Sequence, residues 1–567
     1  YMYLYYGDVR ILQDRYDEMQ HWVNFLKSQL NRDGLLAGQG LGEWVPPDIC
    51  EIPEPFVNSC YYFHNLDLMS RIARVLERSS DEIQYADEAE RIRRKIHEHF
   101  LNADGCSYSI DRQGANVFPL GLAITPDSLV QPVEAHLIDR LLTTQQGHFD
   151  TGILATPLLL EVLTTAGRSD LAYTLMNHRD YPSYGYMISK GATTIWETWM
   201  GDQSHSHPMF GSVCQWFYES LAGIAPDPNQ PGFRHLRMQP RPVLGLDFVR
   251  ASYNAATGFI RSDWQLDQND FVWSIELPAN TSATVLVPAQ SVNQVTESNK
   301  PIGSTAGVRF REMQQGYAVV EIGSGEYRFK SAGAAALFRR PMAAAPIITP
   351  GDTLIEKPNK AIIQIQQATA GEGDAIHYTL DGSEPDVHST VYTAPFSVDH
   401  TLVVKAKTFQ QGTAGFSRTQ LVQFVDPAVN GLRYRLFYGN WQKLPDLERL
   451  QAAASGLVYR FALEDVVSRD DLFALSYQGR LRIDRPGTYT FYLLSNDGSR
   501  LYLNDRLVVD NDGQHGAEER SGKITLTAGL HPLRVDYFQA GGGMLLKVSY
   551  DGPELSKREI PADALRQ

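Results

Sequence analysis

The sequence is poor in cysteine, in excess basic charge and in long apolar runs, and each shortage excludes a class of protein. The four cysteines, Cys50, Cys60, Cys106 and Cys214, show no CxxC or metal-ligand spacing, which favours buried thiols over a disulfide framework or a zinc site. The formal net charge of −15 argues against nucleic acid or an anionic membrane as a partner. No apolar run approaches the roughly 20 residues that a membrane-spanning helix needs.

Aromatic residues, by contrast, are plentiful, and one segment sets them around an acid. This segment reads Gly191-Ala-Thr-Thr-Ile-Trp-Glu-Thr-Trp199 and places the carboxylate of Glu197 between Trp196 and Trp199. Sugar-binding sites use this chemistry, because a carboxyl group transfers protons while an indole face covers the apolar side of a pyranose ring. The alternative interpretation is a tryptophan-rich structural turn with a solvated glutamate.

Apolar residues recur at helical spacing through the first part of the chain. The pattern predicts helices over residues 8–30, 56–76, 83–100, 129–142, 154–163, 171–176 and 210–221. Polar loops with glycine and proline separate them over 38–47, 105–119 and 181–191. We therefore predict a helical domain over 1–224 in the form of a partial (α/α)6 toroid, in which helical hairpins surround a central cleft.

The pattern changes to period 2 after Pro226, which predicts β structure to the end of the chain. Strands are expected, for example, over 271–277, 283–287 and 488–494. A linker rich in small residues and proline covers 332–350. The predicted fold class is thus multidomain α plus β: the partial toroid is followed by three β-sandwich modules over 225–331, 351–426 and 430–567.

Several motifs of the N-terminal half resemble the α-L-rhamnosidases of glycoside hydrolase family 78. They are Tyr6-Gly-Asp8, Gly42-Glu-Trp44, Tyr181-Pro-Ser-Tyr-Gly-Tyr-Met187, Gly191-Ala-Thr-Thr-Ile-Trp-Glu197 and His207-x-x-Phe-Gly-Ser212, followed in the β region by Pro231-Gly-Phe-Arg and Pro278-Ala-Asn-Thr281. The resemblance covers about residues 1 to 330. It implies hydrolysis of terminal α-L-rhamnosyl linkages in plant glycans or glycosides with inversion, and it makes Glu197 the catalytic general base.

The resemblance also implies a rhamnose subsite. Trp44 and His207 match the family's subsite tryptophan and histidine, and Trp196 and Trp199 are expected to shape the same subsite. Glu43 stands where the family usually has aspartate, so its longer side chain is expected to alter a hydrogen bond to the sugar. The alternatives are a loop-anchoring core indole for Trp44 and a backbone-bonded residue at a helix start for His207.

The family's general acid lies in an acidic, arginine-containing motif upstream of the Tyr-Gly-Asp segment. The resemblance therefore implies that this chain is the C-terminal part of a longer enzyme and lacks that acid. Glu43, Glu51 and Glu54 lie on a suitable loop, but their spacing singles out none of them. Two other functions stay open, a non-catalytic carbohydrate-binding fragment and another α/α-toroid glycosidase. No cofactor is expected for the hydrolysis, and the module types suggest an extracellular or periplasmic location.

The two trailing modules resemble accessory domains. Ile376-His-Tyr-Thr-Leu-Asp-Gly-Ser-Glu-Pro385 resembles a chitobiase C-terminal-type module, and Ser495-Asn-Asp-Gly-Ser-Arg-Leu-Tyr-Leu-Asn504 resembles a protective-antigen-type domain. Lectin members of the latter bind calcium through an Asp-Asp pair, so calcium is a possible ligand of Asn496 and Asp497 here. The alternative for this pair is a tight turn between strands.

Overall fold

The structure is a computed structural model, and it describes most of the chain. The described residues are 1–37, 40, 42–47, 52–351, 353–368, 374–410, 412–463, 465–469, 471–541, 544–553 and 555–567. Cys50 and Glu51 lie outside them. The described residues form two compact units, Tyr1–Ala344 and Ala345–Gln567. Within these ranges no helix combines the length and the apolarity needed to cross a membrane.

The first part of the first unit is helical, as the apolar spacing predicts. Its helices are α1 (Met2–Tyr6), α2 (Arg10–Asp14), α3 (Tyr16–Ser28), α4 (Glu54–Val75), α5 (Ser79–Phe100), α6 (Gln113–Gly121), α7 (Asp127–Thr143), α8 (Ala155–Thr165), α9 (Ser169–Asn177), α10 (Tyr184–Ser189) and α11 (Val213–Trp216). The core between them is apolar: α4 contributes Phe56 and Leu66, and α5 contributes Ile92 and Ile96. Burial of these faces stabilises the hairpins more than helix propensity does.

Three details of the helical prediction were wrong. The helix expected over 8–30 is interrupted at Arg15, which separates α2 from α3. The expected loops 105–119 and 181–191 contain the start of α6 and all of α10, and Ser183 begins α10 by accepting a hydrogen bond from the Tyr186 backbone N–H at 2.9 Å. The segment 210–221 is a 3₁₀ turn, the short α11 and a π-helical turn.

Among the thiols, Cys60 is buried but Cys214 is exposed, so the expectation of a buried thiol was wrong for Cys214.

The rest of the first unit is a pair of facing sheets, as the period-2 pattern predicts. One sheet has the strand order β1-β2-β6-β10-β9 and the other β3-β4-β5-β11-β7-β8. Trp264 and Trp273 face each other across β4 and β5 and are buried between the sheets. The strands are β1 (Ile224–Pro226), β2 (His235–Met238), β3 (Phe248–Ala255), β4 (Gly258–Asp267), β5 (Asp270–Leu277), β6 (Ser282–Pro288), β7 (Val295–Glu297), β8 (Lys300–Pro301), β9 (Val308–Gln314), β10 (Tyr317–Ile322) and β11 (Gly325–Ser331).

The second unit begins with a small β module. Its sheets have the orders β12-β14-β17 and β13-β19-β18-β15-β16, and its core includes Ile363, Val404 and Phe424. The strands are β12 (Ile347–Thr349), β13 (Leu354–Glu356), β14 (Ala361–Gln366), β15 (Asp374–Thr379), β16 (Thr390–Val391), β17 (Phe396–Val398), β18 (Leu402–Gln410) and β19 (Thr413–Val425).

The last part of the second unit is a larger sandwich. One sheet runs β21-β20-β22-β27-β24-β25 with β30 beside β22, and the other runs β26-β23-β28-β29. The strands are β20 (Leu432–Tyr438), β21 (Ala454–Val458), β22 (Phe473–Ile483), β23 (Gly487–Ser495), β24 (Ser499–Leu503), β25 (Arg506–Asn511), β26 (Glu518–Leu526), β27 (Gly529–Gln539), β28 (Leu546–Gly552), β29 (Leu555–Glu559) and β30 (Leu565–Arg566). A mixed helix-plus-sheet chain with several β modules is therefore confirmed, whereas the toroid and the domain boundaries stay predictions.

Candidate active site

Glu197 lies in a narrow loop between α10 and α11. Its backbone N–H donates to the carbonyl of Ser204 at 2.9 Å, and its carboxylate Oε2 accepts from the backbone N–H of Ser204 at 3.3 Å. The backbone N–H of His207 donates to the carbonyl of Ile195 at 2.9 Å, so residues 195–197 and 204–207 run side by side. Glu197 is anchored through one oxygen while its side chain stays partly exposed. This combination suits a carboxylate that must reach solvent or substrate in a fixed orientation.

Trp199 is a core residue, which corrects the prediction that it contacts the sugar. Its indole is 1% exposed and stacks on Phe149 with ring centroids 4.8 Å apart. The rings of Tyr184 and Phe210 pack against it at 5.3 and 4.4 Å, and its Nε1–H donates to the carbonyl of Thr151 at 2.9 Å. Both the face and the polar edge of the indole are thus used inside the protein. Trp199 supports the Glu197 loop and has no free face for a sugar.

Trp196 is also buried, so the prediction of a direct sugar contact is corrected here too. Its indole stacks on the ring of His205 at 4.6 Å with the planes only 17° apart. A Cβ at Gly201 would lie 2.3 Å from the indole, and Gly201 has a φ of +81°, so only glycine fits the close approach. Trp196 is therefore packed within its own loop.

The loop that carries Glu43 and Trp44 is bound to the segment before α8. The carboxylate Oε1 of Glu43 accepts from the backbone N–H of Ala155 at 3.2 Å, and the carbonyl of Trp44 accepts from the backbone N–H of Ile153 at 3.0 Å. A Cβ at Gly152 would lie 1.9 Å from the Trp44 carbonyl oxygen, so the contact requires glycine. The indole of Trp44 is 37% exposed and remains able to stack on a ligand.

Thr151 connects the two motifs that the sequence singles out. Its carbonyl binds the indole N–H of Trp199, and residues 152–155, which follow it, bind Glu43 and Trp44. The structure thus holds the Gly-Glu-Trp loop and the Glu197 loop against one short segment, 149–155. Sequence reasoning missed this segment. Its run Phe149-Asp-Thr-Gly152 carries a glycine before a helix, which was the available signal.

Glu43 is a buried carboxyl group with unusual protonation. Its side chain is 6% exposed, and Oε2 has no hydrogen-bond partner among the described residues. Burial raises the pKa of Glu43 to about 7, and hydrogen bonds from backbone N–H groups offset only part of this effect. A group of this kind is partly protonated at neutral pH and can donate a hydrogen bond from Oε2. Its binding of substrate stays a prediction.

His207 lies at the end of the Glu197 loop and is half-buried. Its ring Nδ1 is buried and has no hydrogen-bond partner within the part of the chain that the structure describes. Buried polar atoms normally have a partner, so this nitrogen is unusual, but it has almost no surface that a ligand could contact. The substrate-binding role of His207 therefore stays a prediction.

The predicted calcium residues lie in the turn between β23 and β24. The carboxylate of Asp497 is buried, and its Oδ2 accepts from the backbone N–H groups of Ala540 and Gly541 at 2.7 and 3.2 Å. Its Oδ1 accepts from the backbone N–H of His515 at 3.3 Å. Asp497 thus joins three loops, and with the neutral Asn496 it offers only one charge to a cation. These residues fit calcium weakly, and calcium binding stays a prediction.

Comparison with known proteins identifies the modules. The family model described as bacterial alpha-L-rhamnosidase 6 hairpin glycosidase domain matches residues 1–221, and the alpha-L-rhamnosidase C-terminal domain matches residues 223–301. The chain carries alpha-L-rhamnosidase domains. The chitobiase/beta-hexosaminidase C-terminal domain matches residues 358–419, which confirms the chitobiase-type module, and the PA14 domain matches residues 463–564.

Relatives of these rhamnosidase domains are found among curated proteins and solved structures. An alpha-L-rhamnosidase of Streptomyces avermitilis is 34% identical over 340 residues, which cover 58% of this chain and 31% of the relative. One of Alteromonas sp. is 29% identical, over 55% of this chain and 36% of the relative. The Dictyoglumus thermophilum alpha-L-rhamnosidase structure has a TM-score of 0.54 at 32% identity, over 59% of this chain and 38% of that structure.

The Streptomyces avermitilis enzyme solved with L-rhamnose also has a TM-score of 0.54 at 32% identity, over 58% of this chain and 32% of that structure. The chain therefore spans about a third of the length of the relatives that it matches. The similarity concerns the rhamnosidase domains and leaves the activity of the whole protein to be proposed.

Proposed function

We propose that this protein takes part in the hydrolysis of terminal α-L-rhamnosyl linkages in plant glycans or glycosides. The observation that carries the proposal is the anchored, partly exposed carboxylate of Glu197 within the Gly-Ala-Thr-Thr-Ile-Trp-Glu motif of a rhamnosidase domain. The curated relatives are named alpha-L-rhamnosidases, and one was solved with L-rhamnose, which supports the choice of sugar.

In the proposed mechanism Glu197 is the general base. It removes a proton from a water molecule that attacks the anomeric carbon on the face opposite the leaving group, which inverts the configuration. Trp44 covers the apolar face of the sugar ring, while Glu43 and His207 bind its hydroxyl groups. No metal or cofactor takes part. An acid must protonate the departing oxygen, and the family resemblance assigns this role to a motif N-terminal to Tyr6.

The proposal includes the finer features that the sequence suggests. The helices of residues 1–224 form part of an (α/α)6 toroid whose cleft holds Glu197, and the following β modules are accessory domains of an extracellular or periplasmic protein. The matched six-hairpin domain supports the first of these features. The remaining β modules are proposed to take no part in bond cleavage.

Hydrolysis of an aryl α-L-rhamnoside tests the proposal, with Glu197→Gln as the decisive variant. The chain and a version extended upstream in its coding sequence are assayed together, because the proposed acid precedes Tyr6. Loss of the base is expected to lower kcat by about 10²–10⁴-fold, with unchanged thermal unfolding. The control is Glu98→Gln, the same chemical change on exposed α5, where Glu98 pairs with Lys95 at 3.1 Å.

The stereochemistry provides a second readout. Proton NMR of the first sugar released is expected to show the β-anomer before mutarotation. Wild-type turnover in Glu197→Gln, or release of the α-anomer, would refute the mechanism. If the chain and its extended version both bind rhamnose stoichiometrically but do not turn the substrate over, a carbohydrate-binding function would be favoured instead.

A further inference from the structure

Three side chains with metal-binding atoms converge outside the Glu197 loop. The Nε2 atom of His148 lies 3.0 Å from Oδ1 of Asp180, and Nδ1 of His178 lies 3.4 Å from the same oxygen. One ligand atom from each of the three residues lies within 4.8 Å of the other two. The function proposed above uses none of these residues.

The local fold fixes this arrangement. His148 lies within the connection between α7 and α8, whereas His178 and Asp180 follow the last turn of α9. The two imidazole rings are tilted relative to each other, with centroids 4.1 Å apart and planes 30° apart. His178 is 1% exposed, His148 is 13% exposed, and Asp180 is 25% exposed, so the cluster is buried on one side and open to water at the carboxylate.

Two of the three distances between the ligand atoms agree with the geometry of a four-coordinate metal. Ligand atoms at about 2.0–2.1 Å from zinc in a tetrahedral arrangement lie roughly 3.3–3.4 Å from one another. The distances of 3.0 and 3.4 Å from Asp180 Oδ1 to the two histidine nitrogens lie close to this value, and the two nitrogens lie within 4.8 Å of each other. Two imidazole nitrogens and one carboxylate oxygen form a ligand set that zinc and similar divalent ions bind well.

The surroundings of His148 also fit a metal ligand. Its Nδ1 lies 3.0 Å from the carbonyl oxygen of Gln145, and a carbonyl can only accept, so Nδ1 carries the proton. This leaves Nε2, the atom that faces Asp180, as the position for a metal. A backbone carbonyl that holds the second ring nitrogen is the usual support for a metal-binding histidine.

We propose that His148, His178 and Asp180 bind one divalent transition-metal ion of the zinc class, with water as the remaining ligand. The ion joins the segment after α7 to the segment after α9. Phe149 follows His148 directly, and Tyr184 follows Asp180 by four residues. Both rings pack on Trp199, at 4.8 and 5.3 Å, so the ion stabilises the packing behind the Glu197 loop. Its role is structural and adds no chemical step.

Metal binding by the whole chain tests this site. Untagged protein is treated with a chelator, desalted, and titrated with Zn²⁺ by calorimetry and with Co²⁺ by visible absorption. We expect one equivalent of each ion to bind, and the ligand-field bands of Co²⁺ to indicate four-coordinate nitrogen and oxygen ligation. The midpoint of thermal unfolding should rise with Zn²⁺, because the ion binds the folded state.

The variants His148→Gln, His178→Gln and Asp180→Asn should each lose the Co²⁺ bands. His136→Gln is the matched control, because His136 also pairs with an aspartate, Asp111, at 2.7 Å, and it should keep them. Asp180→Asn is the decisive variant, because Asp180 is the most exposed of the three ligands and its substitution changes little volume.

The absence of stoichiometric metal binding by the wild-type chain would overturn the proposal and leave a hydrogen-bonded His–His–Asp cluster. Binding that persists in Asp180→Asn and His148→Gln would equally overturn it. These readouts need no rhamnosidase activity, so the two proposals can fail separately.

Discussion

Replacing Glu43 by glutamine should make the stability of the helical domain less dependent on pH. Burial raises the pKa of Glu43 from 4.5 to about 7, so the folded protein keeps a proton that the unfolded chain releases at lower pH. The unfolded state binds fewer protons between these two pKa values, so the free energy of unfolding falls as the pH rises from about 4.5 to about 7. Below pH 4.5 and above pH 7, Glu43 contributes no further change in the free energy of unfolding.

The magnitude follows from the two pKa values. A difference of one pKa unit corresponds to about 1.36 kcal/mol, so the shift from 4.5 to about 7 corresponds to about 3 kcal/mol. Glutamine keeps an oxygen that can accept the hydrogen bond from Ala155 N–H, but it carries no titrating proton. Relative to wild type, Glu43→Gln should therefore gain about 3 kcal/mol of stability on going from pH 4.5 to pH 8.

Urea unfolding monitored by tryptophan fluorescence measures this effect. Five of the eight tryptophans lie in residues 1–221, so the signal reports mainly on the domain that contains Glu43. Unfolding curves are recorded between pH 4.5 and pH 8 for wild type, Glu43→Gln and the exposed control Glu98→Gln. The inference that Glu43 is a buried, protonated carboxyl group would be refuted by either of two results. One is a wild-type stability that rises with pH relative to Glu43→Gln, and the other is the same pH profile of stability for both proteins.

Two further substitutions test the other contacts. Gly152→Ala should destabilise the helical domain by about 1–3 kcal/mol and lower rhamnoside hydrolysis, because the added Cβ would overlap the Trp44 carbonyl. The control Gly211→Ala should do neither, because the space around its Cβ is open. Equal thermal unfolding of the two variants would contradict the tight contact at Gly152. Asn496→Asp should bind Ca²⁺ more tightly than wild type in a calorimetric titration, because it restores a second carboxylate beside Asp497. Unchanged affinity would exclude this turn as the calcium site.

Periodic patterns predicted the elements whose burial is one-sided. Most of the long helices keep an apolar stripe in the sequence, and strands such as β5 alternate inward and outward residues over Asp270–Leu277. The break at Arg15 and the short α10 were missed because single turns leave no periodic signal. The same limit applies to α6, which starts inside a segment that glycine and proline mark as a loop.

The candidate site was predicted only in part, because sequence spacing does not show which face of a residue is free. Glu197 and Trp44 are both partly exposed, as their proposed roles of base and sugar platform require. The indoles beside Glu197 were expected to meet the sugar, yet both are buried. The segment 149–155 was missed because, apart from the Phe149 ring that packs on Trp199, its contacts with the motifs are made through backbone atoms that any residue carries.

The burial of Trp196 and Trp199 changes how the motif around Glu197 works. A general base must be held within a fraction of an ångström of its productive position, and a loop without regular structure has few backbone bonds to supply that rigidity. Trp199 supplies it through three aromatic contacts and one hydrogen bond to Thr151, and Trp196 supplies it by packing on His205. The two indoles that suggested sugar stacking in the sequence are therefore the supports of the carboxylate between them, and in the proposed site the exposed indole that meets the sugar is the distant Trp44.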